Sequence, residues 1–202
     1  MKIICIGRNY ADHAKEMNAP LPDVPVFFMK PDTAMLPPGA PFYIPDFTND
    51  LHYECELVIK IKKVGKNIQE QFAADYYDEI GLGIDFTARD LQTKCKEQGL
   101  PWEIGKSFDN SAPLGKFIPK EGLDLMGFSF TLKKNGELVQ TGKATDMIFT
   151  PDQLIAYVSK FITLKTGDLL FTGTPAGVGP VAIGDRLEAY IGEEKLLDLS
   201  IK

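Results

Sequence analysis

Three carboxylates stand out by type and spacing: Glu54 and Glu56 in His52-Tyr53-Glu54-Cys55-Glu56-Leu57, and Asp85 in Gly83-Ile84-Asp85-Phe86-Thr87. Both segments read as strands or strand ends, and residues two apart in a strand share a face. Glu54 and Glu56 then project together, with Cys55, Leu57, Ile59 and Ile61 on the apolar side. Two adjacent carboxylates repel unless a cation, a proton or solvent separates them. A third, arriving from another strand, makes an all-oxygen set suited to a hard divalent ion such as Mg2+ or Mn2+. The alternative reading is the solvated polar face of a half-buried strand.

Other segments supply further chemistry. His13 and Glu16 lie three apart in a short predicted helix, so they are neighbours on one face. A carboxylate beside an imidazole fixes its tautomer and raises its basicity; a surface ion pair has the same spacing. Arg89 and Gln92 repeat that spacing just after Asp85 and can grip a carboxylate, or decorate an exposed helix face. Lys106, between Gly105 and Ser107, can reach into a cleft and stabilise an enolate oxygen. Lys30, between Met29 and Pro31, offers a weaker version of the same signal, and Trp102 suits a core or cleft wall. In Thr172-Gly173-Thr174-Pro175-Ala176-Gly177-Val178-Gly179-Pro180, three glycines and two prolines fix a loop whose amides near Thr174 can cradle an anion. It is not a P-loop, because no Gly-Lys-Ser/Thr follows.

The elements that must position these groups are short. Ile3–Ile6 reads as a buried strand, followed by a helix capped by Asn9 and running through Met17. Eight prolines between residues 18 and 47 exclude long helices there, leaving a short strand at 26–29. Strands follow at 57–61 and around 80–84. Thr87 and Asp90 read as a capping pair opening a helix to about Gln98, stopped by Gly99. Asn135-Gly136 between two apolar runs signals a type I′ hairpin. Thr150-Pro151-Asp152-Gln153 opens a helix with a capping box, whose buried stripe is Leu154, Ile155, Val158, Phe161 and Ile162. Turns at 166–168 and 183–185 feed two last strands. Strands dominate, so the expected class is α+β, one domain over 1–202 built on a rolled sheet.

Bulk properties narrow the partners. A net charge of −6 with no basic stripe argues against nucleic acid and against an anionic membrane surface. Cys5, Cys55 and Cys95 form no Cys-x-x-Cys pair, which argues against a zinc cage. An odd count without a leader pattern points to a reducing, cytoplasmic setting, with all three cysteines buried as small hydrophobes.

Taken in order, Ile6-Gly7-Arg8-Asn9-Tyr10-Ala11-Asp12-His13, Phe28-Met29-Lys30-Pro31, His52 to Leu57, Asp85-Phe86-Thr87-Ala88-Arg89-Asp90-Leu91-Gln92, Gly105-Lys106-Ser107-Phe108 and Thr172-Gly173-Thr174-Pro175 resemble the fumarylacetoacetate hydrolase superfamily, closest to its acylpyruvase and oxaloacetate decarboxylase branch. The likeness covers nearly the whole chain. It implies a mixed β-sandwich roll with a few short helices, usually a homodimer, with one Mg2+ or Mn2+ per subunit held by Glu54, Glu56 and Asp85. It further implies that His13 and Glu16 activate water from a lid, with Lys106 beside the reacting centre. Arg89, Gln92, Thr174, Gly173 and Lys30 are then expected at a small oxo-acid substrate. The separate N-terminal domain of fumarylacetoacetase proper has no counterpart here, which argues against fumarylacetoacetate as substrate. The implied reactions are C–C hydrolysis of acylpyruvates and decarboxylation of oxaloacetate. The alternatives are isomerisation of 2-hydroxyhepta-2,4-dienedioate-type diacids and non-catalytic oxo-acid binding. Replacing Asp85 by alanine is expected to remove metal-dependent activity while sparing the fold.

Overall fold

A computed structural model describes residues 1–17, 20–121, 123 and 127–202. It contains thirteen strands and four α-helices, joined by turns and short 3₁₀ segments. A six-stranded mixed sheet runs β2 (Phe27–Lys30), β1 (Ile3–Ile6), β10 (Leu169–Phe171), β4 (Cys55–Ile61), β5 (Tyr77–Ile84), β7 (Leu114–Pro119). Its one parallel pair is β1 with β10. A three-stranded sheet joins β11 (Gly179–Pro180), β3 (Leu51–Tyr53) and β6 (Thr87–Ala88). A four-stranded antiparallel sheet runs β13 (Glu194–Ser200), β12 (Arg186–Ile191), β8 (Ser129–Lys134), β9 (Glu137–Lys143). The helices are α1 (Ala11–Glu16), α2 (Arg89–Gln98), α3 (Glu103–Lys106) and α4 (Pro151–Phe161). This is the α+β roll of mixed sheets with few short helices that the sequence leads one to expect.

The inner faces of these sheets share one apolar core that includes Ile4, Leu57, Ile59, Leu82, Phe86, Phe130, Leu132, Leu154 and Leu187. Strand β4 is buried on both faces apart from Lys60: Leu57 and Ile59 join this core, while Val58 packs with Ile3, Cys5 and Phe171 in a second cluster. All three cysteines are buried and unpaired. Among the described residues, no helix is long and apolar enough to cross a membrane.

Local signals resolve in both directions. Asn135 and Gly136 both adopt positive φ (56° and 87°), as a type I′ turn requires. Thr150 and Gln153 close the capping box of α4, and Gly99 terminates α2 in the left-handed conformation. Three expectations are corrected. Asn9 does not cap α1, whose N-cap is Tyr10 without a side-chain bond. Asn9 is instead fully buried; its amide donates to the Phe149 and Thr172 carbonyls and accepts from the Phe149 amide. A side chain that can satisfy three buried backbone groups gains more there than at a short helix end. Thr87 and Asp90 likewise do not cap α2, whose N-cap is Ala88. Asp90 accepts from Thr48 Oγ1 and the Asn49 amide, fastening the 48–49 loop, while Thr87 turns inward. Finally, Phe161 is exposed at the end of α4, packed against Phe27 and Tyr157 rather than the core, and Ile162 is only half-buried.

Candidate metal and oxo-acid site

Two strand-to-strand joints place the carboxylates. Glu54 is the single residue between β3 and β4, where the chain leaves the three-stranded sheet for the six-stranded one. Asp85 and Phe86 form the matching joint between β5 and β6. The strands pair antiparallel on both sides, Cys55 with Ile84 and Leu51 with Ala88, so the two joints lie side by side. The Asp85 amide donates to the Glu54 carbonyl at 2.8 Å. Glu56, one strand period from Glu54, returns its carboxylate to the same point. A ligand oxygen from each of Glu54, Glu56 and Asp85 lies within 4.8 Å of the other two, and all three residues are buried.

Cations surround this triad unevenly. Lys106 Nζ is 2.7 Å from Glu54 Oε2, 2.9 Å from Asp85 Oδ2 and 2.6 Å from Thr87 Oγ1. Arg89 Nη2 pairs with Glu54 Oε1, and Nη1 donates to Gln92 Oε1 at 2.9 Å. Lys30 is fully buried behind the triad, 2.7 Å from Asp85 Oδ1, and donates to Ser111 Oγ and the Ser111 carbonyl at 2.9 Å. Asp85 Oδ1 still receives no well-aligned hydrogen bond, and neither does Arg89 Nε have a partner. Glu56 has no lysine or arginine within 4.0 Å among the described residues; its Oε2 accepts only the Gly173 amide, at 2.7 Å.

The electrostatics follow this asymmetry. Burial opposes ionisation of Glu54, but Lys106 and Arg89 outweigh it and hold the carboxyl well below its usual range. Burial, then Asp85 and Glu54, push Glu56 well above that range. Burial also disfavours the Lys106 ammonium, yet Asp85 and Glu54 raise it above the ordinary lysine value. An all-oxygen donor set with one poorly compensated carboxylate and one misaligned oxygen fits a hard divalent cation, which would favour the ionised form of all three.

The remaining pieces converge from other elements. Gly105 lets α3 approach α2: a Cβ there would lie 2.9 Å from the Gln92 amide nitrogen. That close approach seats Lys106, the last residue of α3, over the joints. On α1, His13 Nδ1 is 3.1 Å from Glu16 Oε2, and Glu16 Oε1 accepts the Gly177 amide at 3.1 Å. The glycine-rich loop does cradle anions, but they are the chain's own carboxylates: Glu56 on Gly173 and Glu16 on Gly177. A cavity of about 330 Å3 opens above, lined by Gly7, Arg8, His13, Met17, Pro20, Glu54, Arg89, Gln92, Lys96, Trp102 and Lys106.

Of the anticipated residues, His13, Glu54, Arg89, Gln92 and Lys106 face this cavity directly. Lys30, Glu56, Asp85 and Gly173 stand behind or beside them. Thr174 is buried, its Oγ1 donating to the Cys55 carbonyl and accepting from Gln140 Nε2. Gln140 and Asn9 are structural parts of the site that sequence reasoning missed. Gln140 bonds the Cys55 amide, Thr174 Oγ1 and the Pro175 carbonyl, tying the carboxylate strand to the glycine-rich loop. The available signal was a lone amide at an inward position of β9.

Residues 2–200 match the family model for the fumarylacetoacetate (FAA) hydrolase C-terminal domain. The chain belongs to the fumarylacetoacetate hydrolase family. It is 49% identical over 190 residues to a mouse protein named oxaloacetate tautomerase FAHD1, mitochondrial, covering 94% of this chain and 86% of that one. An Escherichia coli relative named oxaloacetate tautomerase YcgM is 44% identical over 92% of this chain and 86% of its own length. The fold also matches a crystal structure of fumarylpyruvate hydrolase from Pseudomonas aeruginosa in complex with Mn2+ and pyruvate. That match has a TM-score of 0.92 and 38% identity, covering all of this chain and 89% of the other. The family and these relatives place the chain among enzymes of oxo-acid metabolism.

Proposed function

We propose that this chain is a divalent-metal-dependent oxaloacetate tautomerase, moving a proton between C3 and the 2-oxo oxygen of a small oxo diacid. The observation that carries this reading is the cavity lining, where the His13 imidazole, oriented by Glu16, shares a space of about 330 Å3 with Arg8, Arg89, Lys96 and Lys106. Relatives at 44–49% identity that bear the tautomerase name support it.

When bound by Glu54, Glu56 and Asp85, Mg2+ or Mn2+ would polarise the 2-oxo oxygen and so acidify the neighbouring C–H. The triad and its three buried cations balance in charge, three against three, so a divalent ion leaves two positive charges that suit a dianion. Arg89 and Gln92 hold the carboxylate next to the 2-oxo group. Lys106, kept protonated by its two carboxylates, would exchange one of its three present bonds for the 2-oxo oxygen, which finally receives the proton that His13 took from C3. His13 turns Nδ1–H toward Glu16, which leaves the Nε2 lone pair free to take the C3 proton. Met17, Pro20 and Trp102 supply apolar parts of the lining.

A second reading, acylpyruvate hydrolysis, uses the same dyad to activate water, and the likeness to the fumarylpyruvate hydrolase structure favours it. Decarboxylation of oxaloacetate forms the same enolate without water. Isomerisation of longer unsaturated diacids would keep the proton transfer; a purely binding role would leave the oriented imidazole without use. Homodimerisation, implied by the family, is tested by light scattering.

The deciding experiment gives Mg2+- or Mn2+-loaded protein freshly dissolved oxaloacetate and follows enol absorbance, with proton NMR on acetylpyruvate in parallel. The expected result is rapid approach to keto–enol equilibrium. No acceleration over metal ion alone would sink the tautomerase reading, and cleavage of acetylpyruvate without tautomerisation would favour the hydrolase.

A further inference from the structure

Four cations line the cavity, yet they are not equivalent. Arg89 and Lys106 are both paired with Glu54. Arg8 and Lys96 have no carboxylate within 4.0 Å among the described residues. Among the described residues, Arg8 Nη1 donates to the Pro20 carbonyl, at 3.1 Å. Lys96 Nζ donates to Gln92 Oε1 at 3.3 Å and stands 5.6 Å from the Trp102 ring centroid.

Lys96 follows Gln92 by four residues and Arg89 by seven, so all three project from one face of α2. They form a ladder from the triad outward. Arg89 is bonded to Glu54 at the base, and its Nη1 shares Gln92 Oε1 with Lys96 one rung higher. Arg8, two residues past the end of β1, lines the same space. Burial, then Arg89 and Lys106, depress the Lys96 ammonium below its ordinary range, with Arg8 adding to the effect. A cavity lined by two cations without a carboxylate partner among the described residues, with Glu54 as the one acidic residue of its lining, is a place where an anion lowers the local energy.

Resting on the reading that the triad end receives the 2-oxo acid group, we infer that Arg8 and Lys96 form an outer carboxylate site that selects substrates carrying a second carboxylate. The two cations are then specificity-determining: they distinguish a C4 dianion from an acylpyruvate whose far end is a methyl ketone. Neither needs to touch the reacting atoms.

Calorimetric titration of Mn2+-loaded protein with malate and with 2-hydroxybutyrate isolates the distal carboxylate, which the second ligand replaces by methyl. Wild type should prefer malate by about tenfold or more, the worth of one charge-assisted hydrogen bond. In Lys96→Met the preference should shrink, and in Arg8→Gln/Lys96→Met it should vanish through loss of malate affinity. Equal affinities or no measurable binding in wild type would overturn the proposal. So would a preference retained by the double variant, or a parallel loss for both ligands. Oxaloacetate tautomerisation is assayed on the same samples. Wild-type protein that discriminates malate but does not tautomerise oxaloacetate would refute the functional reading and leave the outer site standing.

Discussion

Gln140 Nε2 donates to Thr174 Oγ1 at 2.9 Å, a bond between side chains that lie on different sheet and loop elements 34 residues apart. The same amide reaches the Pro175 carbonyl, while its Oε1 takes the Cys55 amide, the one between the two glutamates of the triad. Gln140→Leu would strand a buried N–H and a buried carbonyl together. We expect a loss of about 2–4 kcal/mol in unfolding free energy, read from denaturant midpoints, and weaker Mn2+ binding because the strand carrying Glu54 and Glu56 loses its tie. Unchanged Mn2+ affinity would separate the two effects and refute the second.

Lys30 changes what can be expected of Asp85. The ammonium is fully buried and Asp85 is its sole carboxylate partner among the described residues, so Asp85→Ala should not spare the fold. Leaving a buried charge without its partner costs about 3–5 kcal/mol. Thermal unfolding of Asp85→Ala should show that loss, and Lys30→Met added to it should recover part of it. Metal binding should be absent in both variants.

Glu56 links metal binding to protons. Its folded-state carboxyl lies above the unfolded value because of burial, Asp85 and Glu54. A raised carboxyl contributes stability that is full below the unfolded value, about 4.3, and is lost as pH rises toward the folded one. Metal-free protein should therefore lose stability progressively as pH rises above the unfolded value. A divalent ion competes with that proton, so affinity should rise with pH. Calorimetry in buffers of different ionisation enthalpy should register proton release on Mn2+ binding; none in Glu56→Gln and some in wild type is the expected contrast.

His13→Ala should slow oxaloacetate tautomerisation by about 100-fold or more, the usual weight of a positioned base. Oxaloacetate decarboxylation, which removes no C3 proton, should fall far less. Equal losses in both rates would show that the imidazole does not act as the C3 base.

The sequence carried the periodic and local parts of this architecture well. The Asn135-Gly136 turn and the Thr150 capping box depend on neighbouring residues alone, and both form as their chemistry dictates. Glu54, Glu56 and Asp85 were visible as spacing, but the reason they meet is topological: each single-strand joint says nothing without the pairing of β3 with β6 and β4 with β5. Asn9, placed by local rules at a helix cap, answers instead to backbone groups 140 and 163 residues away. Lys30 gives the same lesson, since its partners Asp85 and Ser111 belong to other elements. A polar side chain that solves a long-range satisfaction problem leaves no periodic trace.

The loop from Gly173 to Gly177 gives one amide to Glu56 and another to Glu16. Five residues thus span the interval between a carboxylate rooted in a central strand and one carried on α1. Adding or deleting a residue there would move one amide off its acceptor whichever way the loop adjusted. Gly177 also cannot accept a side chain, because its φ is +96° and a Cβ would lie 2.2 Å from the Val139 carbonyl oxygen. The length of this loop is therefore frozen by two separate demands. Divergence toward new substrates on this scaffold has to come through the cavity lining away from this loop, where Arg8, Lys96 and Trp102 are held by far fewer obligations.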